Sequence, residues 1–369
     1  MTRWGGAIAG LALLAATACA RTAPPPPDTP FVWRLPRGLP VPSVPADNPM
    51  STVKVALGRR LFYDTRLSGN RTFACASCHQ QAHAFTDGRP HALGSTGEMH
   101  PRSAMSLTNV AYNPAFGWAD PGVKTLEAQM LVPMLNEHPI EMGMAGRQDE
   151  IVRRFDTRGD RPWFEGAFPG DRHPVSLDNI VRAIAAFERT LLSADSPFDR
   201  YLYRDDRSAI SESAVRGMKL FFSERLGCSQ CHAGFNLSGP VTFASAPRPL
   251  LTFSNTGLYD LDGRGAYPGT DRGLMNVTKR PADMGRFRAP TLRNVALTAP
   301  YMHDGSIPTL QAAIAHYASG GRGPLRADQM TGFTISSSES ADLIAFLNGL
   351  SDTTFITNPA LSDPAHERR

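Results

Sequence analysis

The sequence has no long run of lysine or arginine and no strong excess of charge of either sign. Its 369 residues include 38 Lys and Arg against 34 Asp and Glu, a formal net charge of +4. Nucleic-acid-binding proteins concentrate positive charge in one segment or face, so we expect no nucleic acid as a partner. After residue 19 no segment is apolar for long enough to cross a bilayer, and we predict no transmembrane span.

Cysteine is scarce as well, with five residues in the chain. Four of them form two C-x-x-C pairs, and the fifth is Cys19. No cysteine is therefore left for a structural disulfide. Strand-like alternation of apolar and polar residues is also rare, whereas glycine (32) and proline (31) are abundant. This composition predicts a mostly α-helical fold with long ordered loops.

The first 19 residues resemble an export signal, with a short apolar stretch over 7–16 and small residues before Cys19. This stretch is too short to span a bilayer. Residues 16–18 form an A-x-A cleavage site, and residues 14–19 also resemble a lipobox in which Cys19 would carry lipid. We predict a signal peptide over 1–18 and favour the lipoprotein form, because Cys19 otherwise has no partner. A Pro-rich tether over 19–32 follows, and the expected location is the periplasm, with a possible outer-membrane anchor.

Two halves of the chain repeat three landmarks in the same order. "GRRLFY" matches "GMKLFF", "SLTNVA" matches "TLRNVA", and "TLEAQ" matches "TLQAA". Such self-similarity indicates two copies of one domain. We predict an N-terminal domain over 33–175, a C-terminal domain over 176–361 and a tail over 362–369.

Each C-x-x-C pair is followed directly by a histidine, which gives Cys75, Cys78 and His79, and then Cys228, Cys231 and His232. A redox dithiol would need a β-α-β setting and no histidine. A zinc site would need four ligands, pooled from both motifs. In covalent haem attachment two thiols reach the two vinyl groups while the adjacent imidazole coordinates iron. Because the motif occurs twice, in a repeated helical domain behind an export signal, we predict two covalent c-type haems.

Over about residues 33–350 the sequence resembles the bacterial di-haem cytochrome c peroxidases and the related MauG-like enzymes. The resemblance rests on these motifs and on the segment 287–317, "FRAPTLRNVALTAPYMHDGSIPTLQAAIAHY". "NEHPIEMG" (136–143) and the segment 94–116 are most similar to the methanobactin-associated, MbnH-type members, which oxidise tryptophan in a partner copper-binding protein. The resemblance implies two cytochrome c-like domains, each with one haem. His79 would bind the first iron and His232 the second.

The resemblance also implies a second ligand for the second iron. In the family it lies fourteen positions after the histidine of "PYMHDG", which is Tyr317 here. Peroxidases have methionine at this position and MauG-like enzymes have tyrosine; an oxygen donor lowers the haem potential. The adjacent His316 is expected to point elsewhere, because one residue along a helix rotates the side chain away.

At the first haem, the displaceable distal histidine of the peroxidases aligns near Ser95, so we predict an iron open to peroxide. His83, His91 and His100 are interpreted as loop or surface histidines. The family's distal pocket corresponds to three residues, Gln129, Pro133 and Glu141, with additional residues inserted between the last two relative to MauG. A carboxylate there can move a proton between the peroxide oxygens.

Two further assignments rest on the resemblance. Trp118 matches the family tryptophan that relays a hole between the haems. A calcium site between the domains would use the main-chain carbonyls of Thr298 and Pro300, but Ser103 stands where the family has an asparagine ligand. Two more oxygen donors of suitable hardness are Asp304 and Asn109.

Three functions follow from these interpretations. The favoured one is a peroxide-driven oxidase, in which a high-valent di-iron state oxidises a partner protein, at tryptophan in a secreted copper-binding protein. The alternative is a peroxidase that reduces hydrogen peroxide with electrons from a small cytochrome or cupredoxin. The third is an electron carrier with both irons six-coordinate. Tyr317 and the missing distal histidine favour the first.

Overall fold

The computed structural model describes residues 25–246 and 249–365. The predicted signal peptide and Cys19 lie outside the described residues. The part of the predicted tether that is described contacts the first helix, since the backbone N–H of Thr52 donates to the carbonyl oxygen of Thr29 at 3.2 Å. Within these ranges no helix is long and apolar enough to cross a bilayer.

The described chain consists mainly of short helices joined by long loops, which confirms the predicted helical class. The longer helices are α1 (Thr52–Phe62), α3 (Leu126–Leu135), α4 (Gln148–Phe155), α6 (Leu177–Glu188), α8 (Glu212–Phe221), α10 (Leu310–Ala318) and α11 (Ser337–Asn348). The shorter ones are α2 (Cys75–Cys78), α5 (Arg161–Ala167), α7 (Pro197–Tyr203), α9 (Met275–Thr278) and α12 (Thr353–Thr357). Two short antiparallel strands, β1 (Ser254–Asn255) and β2 (Arg286–Phe287), pair with Ser254 opposite Phe287.

The repeated landmarks of the sequence make equivalent contacts in the two halves. α1 packs against α6, and α8 packs against α11. A Cβ at Gly58 would lie 1.8 Å from the carbonyl oxygen of Ala183, and a Cβ at Gly217 would lie 1.9 Å from that of Asp342. Each helix crossing therefore requires glycine at the same place in its motif, and the sequence repeat is a repeat of structure.

The boundary predicted at residues 175 and 176 needs correction. It assigned α6 to the second domain, but Ile180, Ile184 and Phe187 of α6 are buried in the core that contains α1. The apolar face of α6 packs against α1. Removing such a face from water is the main contribution that stabilises an amphipathic helix. The loop that follows, up to Leu191, belongs to the same core.

The end of the chain also returns to the first core rather than completing the second. The ring of Phe355 packs against that of Phe85 with centroids 5.4 Å apart. The hydroxyl of Tyr63 donates to the carbonyl oxygen of Leu361 at 2.6 Å. The start of the predicted tail is held too, since Nε of Arg59 donates to the carbonyl oxygen of Ser362 at 2.7 Å. The second core is thus formed by residues from 198 to 350.

Candidate active site

The first C-x-x-C-H motif forms a single helical turn, α2, with His79 directly after it. Cys75 and Cys78 are three positions apart and so lie on one side of this turn. Nδ1 of His79 lies 2.9 Å from the carbonyl oxygen of Phe85. Because a carbonyl can only accept, Nδ1 carries the proton, and the lone pair of Nε2 is left to bind a metal.

The second motif is built in the same way. Cys228 begins a short 3₁₀ turn, and Nδ1 of His232 lies 3.1 Å from the carbonyl oxygen of Pro290. Burial lowers the pKa of both histidines, which keeps them neutral, as an iron ligand must be. Among the described residues the four cysteines of the motifs form no disulfide. Two thiols and one oriented imidazole at each motif suit covalent haem attachment.

The second motif opens into a cavity of about 300 Å³ between the end of α8, the loop after it, α10 and the loop before α10. Cys228, Cys231, His232 and Tyr317 all lie in its wall. Burial, and then the charges of the two cysteines, raise the pKa of the Tyr317 phenol. The neighbouring His316 contacts a different segment, with Nε2 2.9 Å from the carbonyl oxygen of Thr256. The fold thus brings Tyr317 to the second motif, some eighty-five residues away along the chain.

Trp118 lies in the wall of the same cavity. Its Nε1–H donates to the carbonyl oxygen of Ser103 at 3.1 Å. Ser106, three residues further on, donates from its hydroxyl to the carbonyl oxygen of Ala84 at 2.6 Å, next to the residue that orients His79. The segment 103–106 therefore connects Trp118 with the loop that orients His79, and it also lines the cavity of the second motif.

Arg288 is a buried cation in this cavity wall. It hydrogen-bonds the side chain of Asn113 at 3.2 Å, and its backbone N–H donates to the carbonyl oxygen of Trp118 at 2.9 Å. Among the described residues no carboxylate forms an ion pair with it, and burial lowers its pKa to about 10. A buried guanidinium requires an anion, and a haem propionate would supply one. The two thiols, the His232 imidazole and the Tyr317 phenol in the cavity wall fit a haem, and so does a buried cation without a carboxylate partner in the described chain. Nothing in the sequence alone distinguished Arg288 from the other arginines.

The predicted distal residues of the first haem lie on α3 and the loop after it. Gln129 and Pro133 are four positions apart, on one face of the helix. The backbone N–H of Met142 donates to the carbonyl oxygen of Pro133 at 2.9 Å. The inserted residues form a turn in which Glu137 pairs with Ile140, so Glu141 returns to the side of Pro133. The structure therefore places Glu141 next to the residue that bonds to Pro133, in spite of the insertion.

Glu141 lies near the first motif and is partly buried. The pKa of the Cys78 thiol is raised by burial and then by the charges of Asp87 and Glu141. Burial also raises the pKa of Glu141 itself, to about 7. A carboxyl group that titrates near neutrality can both accept and release a proton under ordinary conditions.

A hairpin over residues 91–102 holds Glu141 in place. The backbone N–H of Ser95 donates to the carbonyl oxygen of Glu141 at 2.7 Å, and a Cβ at Gly94 would lie 1.9 Å from the carbonyl oxygen of Ile140. The hairpin also reaches the first motif, with the carbonyl oxygen of Leu93 3.8 Å from Sγ of Cys78. Ser95, the position of the absent distal histidine, thus lies beside Glu141.

The three histidines interpreted as loop or surface residues differ from one another. His83 is exposed, as expected. His91 and His100 are partly buried in the hairpin, and Nε2 of His100 lies 4.0 Å from Oε1 of Glu141. His100 therefore lies in a loop, as expected, but its side chain also approaches Glu141. The sequence carries no signal for this contact, because it depends on how the hairpin packs against a distant loop.

The predicted calcium ligands are only partly available. Thr298 and Pro300 lie in the wall of the cavity at the second motif. The Asn109 side chain is engaged by the backbone of Ser193, at 2.8 and 3.1 Å, and Asp304 accepts the hydroxyl of Tyr259 at 2.6 Å. In residues 25–246 and 249–365 no cluster of His, Cys, Asp or Glu could hold a metal ion. Calcium bound by main-chain carbonyls remains a prediction.

Known proteins resemble this chain in sequence and in fold. A sequence profile described as di-haem cytochrome c peroxidase matches residues 52–207. The cytochrome-c peroxidase IdrP1 of Denitromonas iodatirespirans is 36% identical over 344 residues, 88% of this chain and 87% of its own. The methylamine utilization protein MauG of Methylorubrum extorquens is 34% identical over 334 residues, 89% of this chain and 86% of its own.

One solved structure is more similar still. A MauG-like protein associated with microbial copper homeostasis is 45% identical, with a TM-score of 0.88 over 91% of this chain and 99% of its own. Identity at this level over nearly the whole length of both chains, together with the paired haem-attachment motifs in a duplicated helical fold, shows that this chain belongs to the di-haem cytochrome c peroxidase family of oxidoreductases.

Proposed function

We propose that this protein uses hydrogen peroxide to oxidise a partner protein, at tryptophan in a secreted copper-binding protein. The observation that carries the proposal is that Tyr317 shares a cavity with Cys228, Cys231 and His232. If the Tyr317 oxygen bound the second iron, it would favour the oxidised haem, whereas a methionine would favour electron delivery. The 45%-identical MauG-like protein is associated with microbial copper homeostasis, and this association supports a copper-linked substrate.

Each side chain of the site would have a separate role in the peroxide reaction. A c-type haem, when bound, supplies an iron that passes electrons to peroxide. His79 and His232 would bind iron through Nε2, because their Nδ1 protons are held by backbone carbonyls. The Glu141 carboxylate would take the proton from one peroxide oxygen and return it to the other, so that water leaves. Gln129 and Pro133 would shape the pocket around it.

Trp118 would carry electrons between the two haem sites. Its indole lies on the cavity wall, and its Nε1–H is fixed by the carbonyl oxygen of Ser103. A fixed indole between two redox centres divides one long electron transfer into two shorter ones. The oxidising equivalents would then be shared, and electrons could be drawn from a protein substrate at the surface without contact between that substrate and peroxide.

The test is the reaction of the diferric holoenzyme with one equivalent of peroxide, followed by stopped-flow absorbance. We expect a rapid spectral change without prior reduction, and a product that oxidises tryptophan in a periplasmic copper-binding protein, detected by mass spectrometry. A protein that reacts with peroxide only after one haem has been reduced would contradict the proposal.

The second candidate is a peroxidase supplied with electrons by a small cytochrome or cupredoxin. The 36% identity with the cytochrome-c peroxidase IdrP1 supports it. Steady oxidation of a reduced small cytochrome by peroxide, with no modification of any tryptophan, would favour this function. In either case we propose a periplasmic location, with a lipid anchor at Cys19 as one form of it.

A further inference from the structure

His100 and Glu141 belong to different segments that the fold brings into register. Glu141 follows the loop after α3, whereas His100 lies on the second arm of the 91–102 hairpin. Two hydrogen bonds hold the hairpin against the loop that carries Glu141. The backbone N–H of Ser95 donates to the carbonyl oxygen of Glu141, and the backbone N–H of Ile140 donates to the Glu98 carboxylate at 3.0 Å. Nε2 of His100 and Oε1 of Glu141 are 4.0 Å apart, a gap that a small side-chain rotation or one bridging water closes.

The tautomer of His100 is set by its own backbone neighbourhood. The backbone N–H of Arg102 donates to Nδ1 of His100 at 3.0 Å. Nδ1 is therefore unprotonated, and in a neutral imidazole the proton must be on Nε2. His100 thus presents an N–H group, not a lone pair, to the Glu141 carboxylate.

Burial and a neighbouring positive charge favour the neutral form of His100. Burial and then the charge of Arg102 lower the pKa of His100, with a smaller contribution from His91 in the same direction. The charge of Asp271 acts in the opposite sense, but Asp271 is already bound by Arg102 through two hydrogen bonds of 2.6 and 2.8 Å. The Glu98 carboxylate is also already engaged, because it accepts the backbone N–H of Ile140.

We propose that His100 is a positioning residue that donates its Nε2–H to Glu141 and so keeps this carboxylate ionised and aimed at peroxide. The inference rests on the proposed role of Glu141 as the base in the peroxide step. Glu141 takes a proton from one peroxide oxygen and gives it to the other, so no net proton is gained or lost. His100 does not transfer its Nε2 proton in this step. A hydrogen bond to the charged form of a carboxyl group favours that form, which opposes the effect of burial.

The test is the pH dependence of the peroxide reaction of the holoenzyme, measured by stopped-flow absorbance from pH 5 to 9. Wild-type protein should lose rate as the pH falls and Glu141 becomes protonated. His100→Leu removes the donor, and we expect the acid limb to move up by about one pH unit, a loss of about tenfold at low pH. His100→Gln should restore most of the wild-type profile, because its amide can accept from Arg102 and donate to Glu141. His83→Gln, at an exposed histidine, is the matched control.

An acid limb that stays in place in His100→Leu would overturn the inference, as would a His100→Gln protein with the His100→Leu profile. Haem content and thermal unfolding temperature, measured on each variant, show that the site is assembled. Glu141→Gln separates this inference from the proposed function. A Glu141→Gln protein that reacts at the wild-type rate refutes the role of Glu141, whereas a slow Glu141→Gln protein with an unshifted His100→Leu profile refutes only the role of His100.

Discussion

Asn109 and Asn294 occupy the same place in the two repeats and both bond to Ser193. Nδ2 of Asn109 donates to the carbonyl oxygen of Ser193 at 3.1 Å, and Nδ2 of Asn294 donates to its hydroxyl at 3.0 Å. Both asparagines are fully buried and have positive φ angles, 56° and 62°. The repeated "NVA" motif therefore joins the two halves of the molecule through one shared residue.

We predict that Asn294→Ala lowers the free energy of unfolding by about 2–4 kcal/mol. The substitution leaves buried partners unsatisfied, including the backbone N–H of Asp352, and it places alanine in the left-handed region. Urea unfolding of the holoprotein, followed by circular dichroism, would measure the loss. Asn276→Ala, at an exposed helical position, should change stability by less than about 0.5 kcal/mol. An equal effect of the two substitutions would contradict the prediction.

Tyr317→Met should raise the reduction potential of the second haem by at least about 0.1 V, because axial ligands set haem potentials over a range of about 0.8 V. A redox titration followed by absorbance would show the change. His316→Gln should leave the potential as in wild type, since His316 is directed to the carbonyl oxygen of Thr256. If Tyr317→Met and wild type have the same potential, Tyr317 is not the ligand.

Arg288→Met should give the reduction potential of the second haem a pH dependence between pH 5 and 8. The buried guanidinium would keep a neighbouring haem propionate ionised, and without it that propionate would titrate within this range. Arg288→Lys retains the charge and should behave more like wild type. Redox titrations at several pH values provide the measurement, and a pH-independent potential in Arg288→Met would show that no propionate depends on Arg288.

Glu188→Gln should stabilise the protein at alkaline pH. Glu188 is buried in the first core, and burial raises its pKa to about 8, above the roughly 4.3 of an unfolded carboxyl group. The native state then holds the proton more tightly, and the stability this provides is complete below about pH 4 and lost as the pH rises through 8.

The amide of Glu188→Gln stays neutral at all pH values. The difference in stability between variant and wild type should therefore grow in favour of the variant between pH 6 and 9, to roughly 1–3 kcal/mol. Thermal unfolding at several pH values would show it, with exposed Glu212→Gln as the control. A difference that does not vary with pH would mean that Glu188 is charged in the native protein.

Local pattern was enough to predict the helical class, and it is also the basis of the predicted haem attachment. Cys75, Cys78 and His79 lie within five positions, and one turn of chain determines their geometry. The helix repeat was visible for a similar reason, because Gly58 and Gly217 each sit within a short recognisable motif. The domain boundary was predicted incorrectly, because the partner of an amphipathic helix such as α6 cannot be read from its own periodicity.

Contacts between distant segments were decided by the tertiary structure. Sequence alignment suggested Tyr317 and Glu141, but their distance to His232 and Pro133 depends on how α10 and the loop after α3 pack. Nothing in the sequence indicated that His100 lies beside Glu141. It also did not indicate that Arg288 is buried in the cavity wall without a carboxylate partner in the part of the chain that the structure describes. A side chain's partners, and with them its pKa and its chemical role, are set by burial and neighbouring charges, which exist only once the chain has folded.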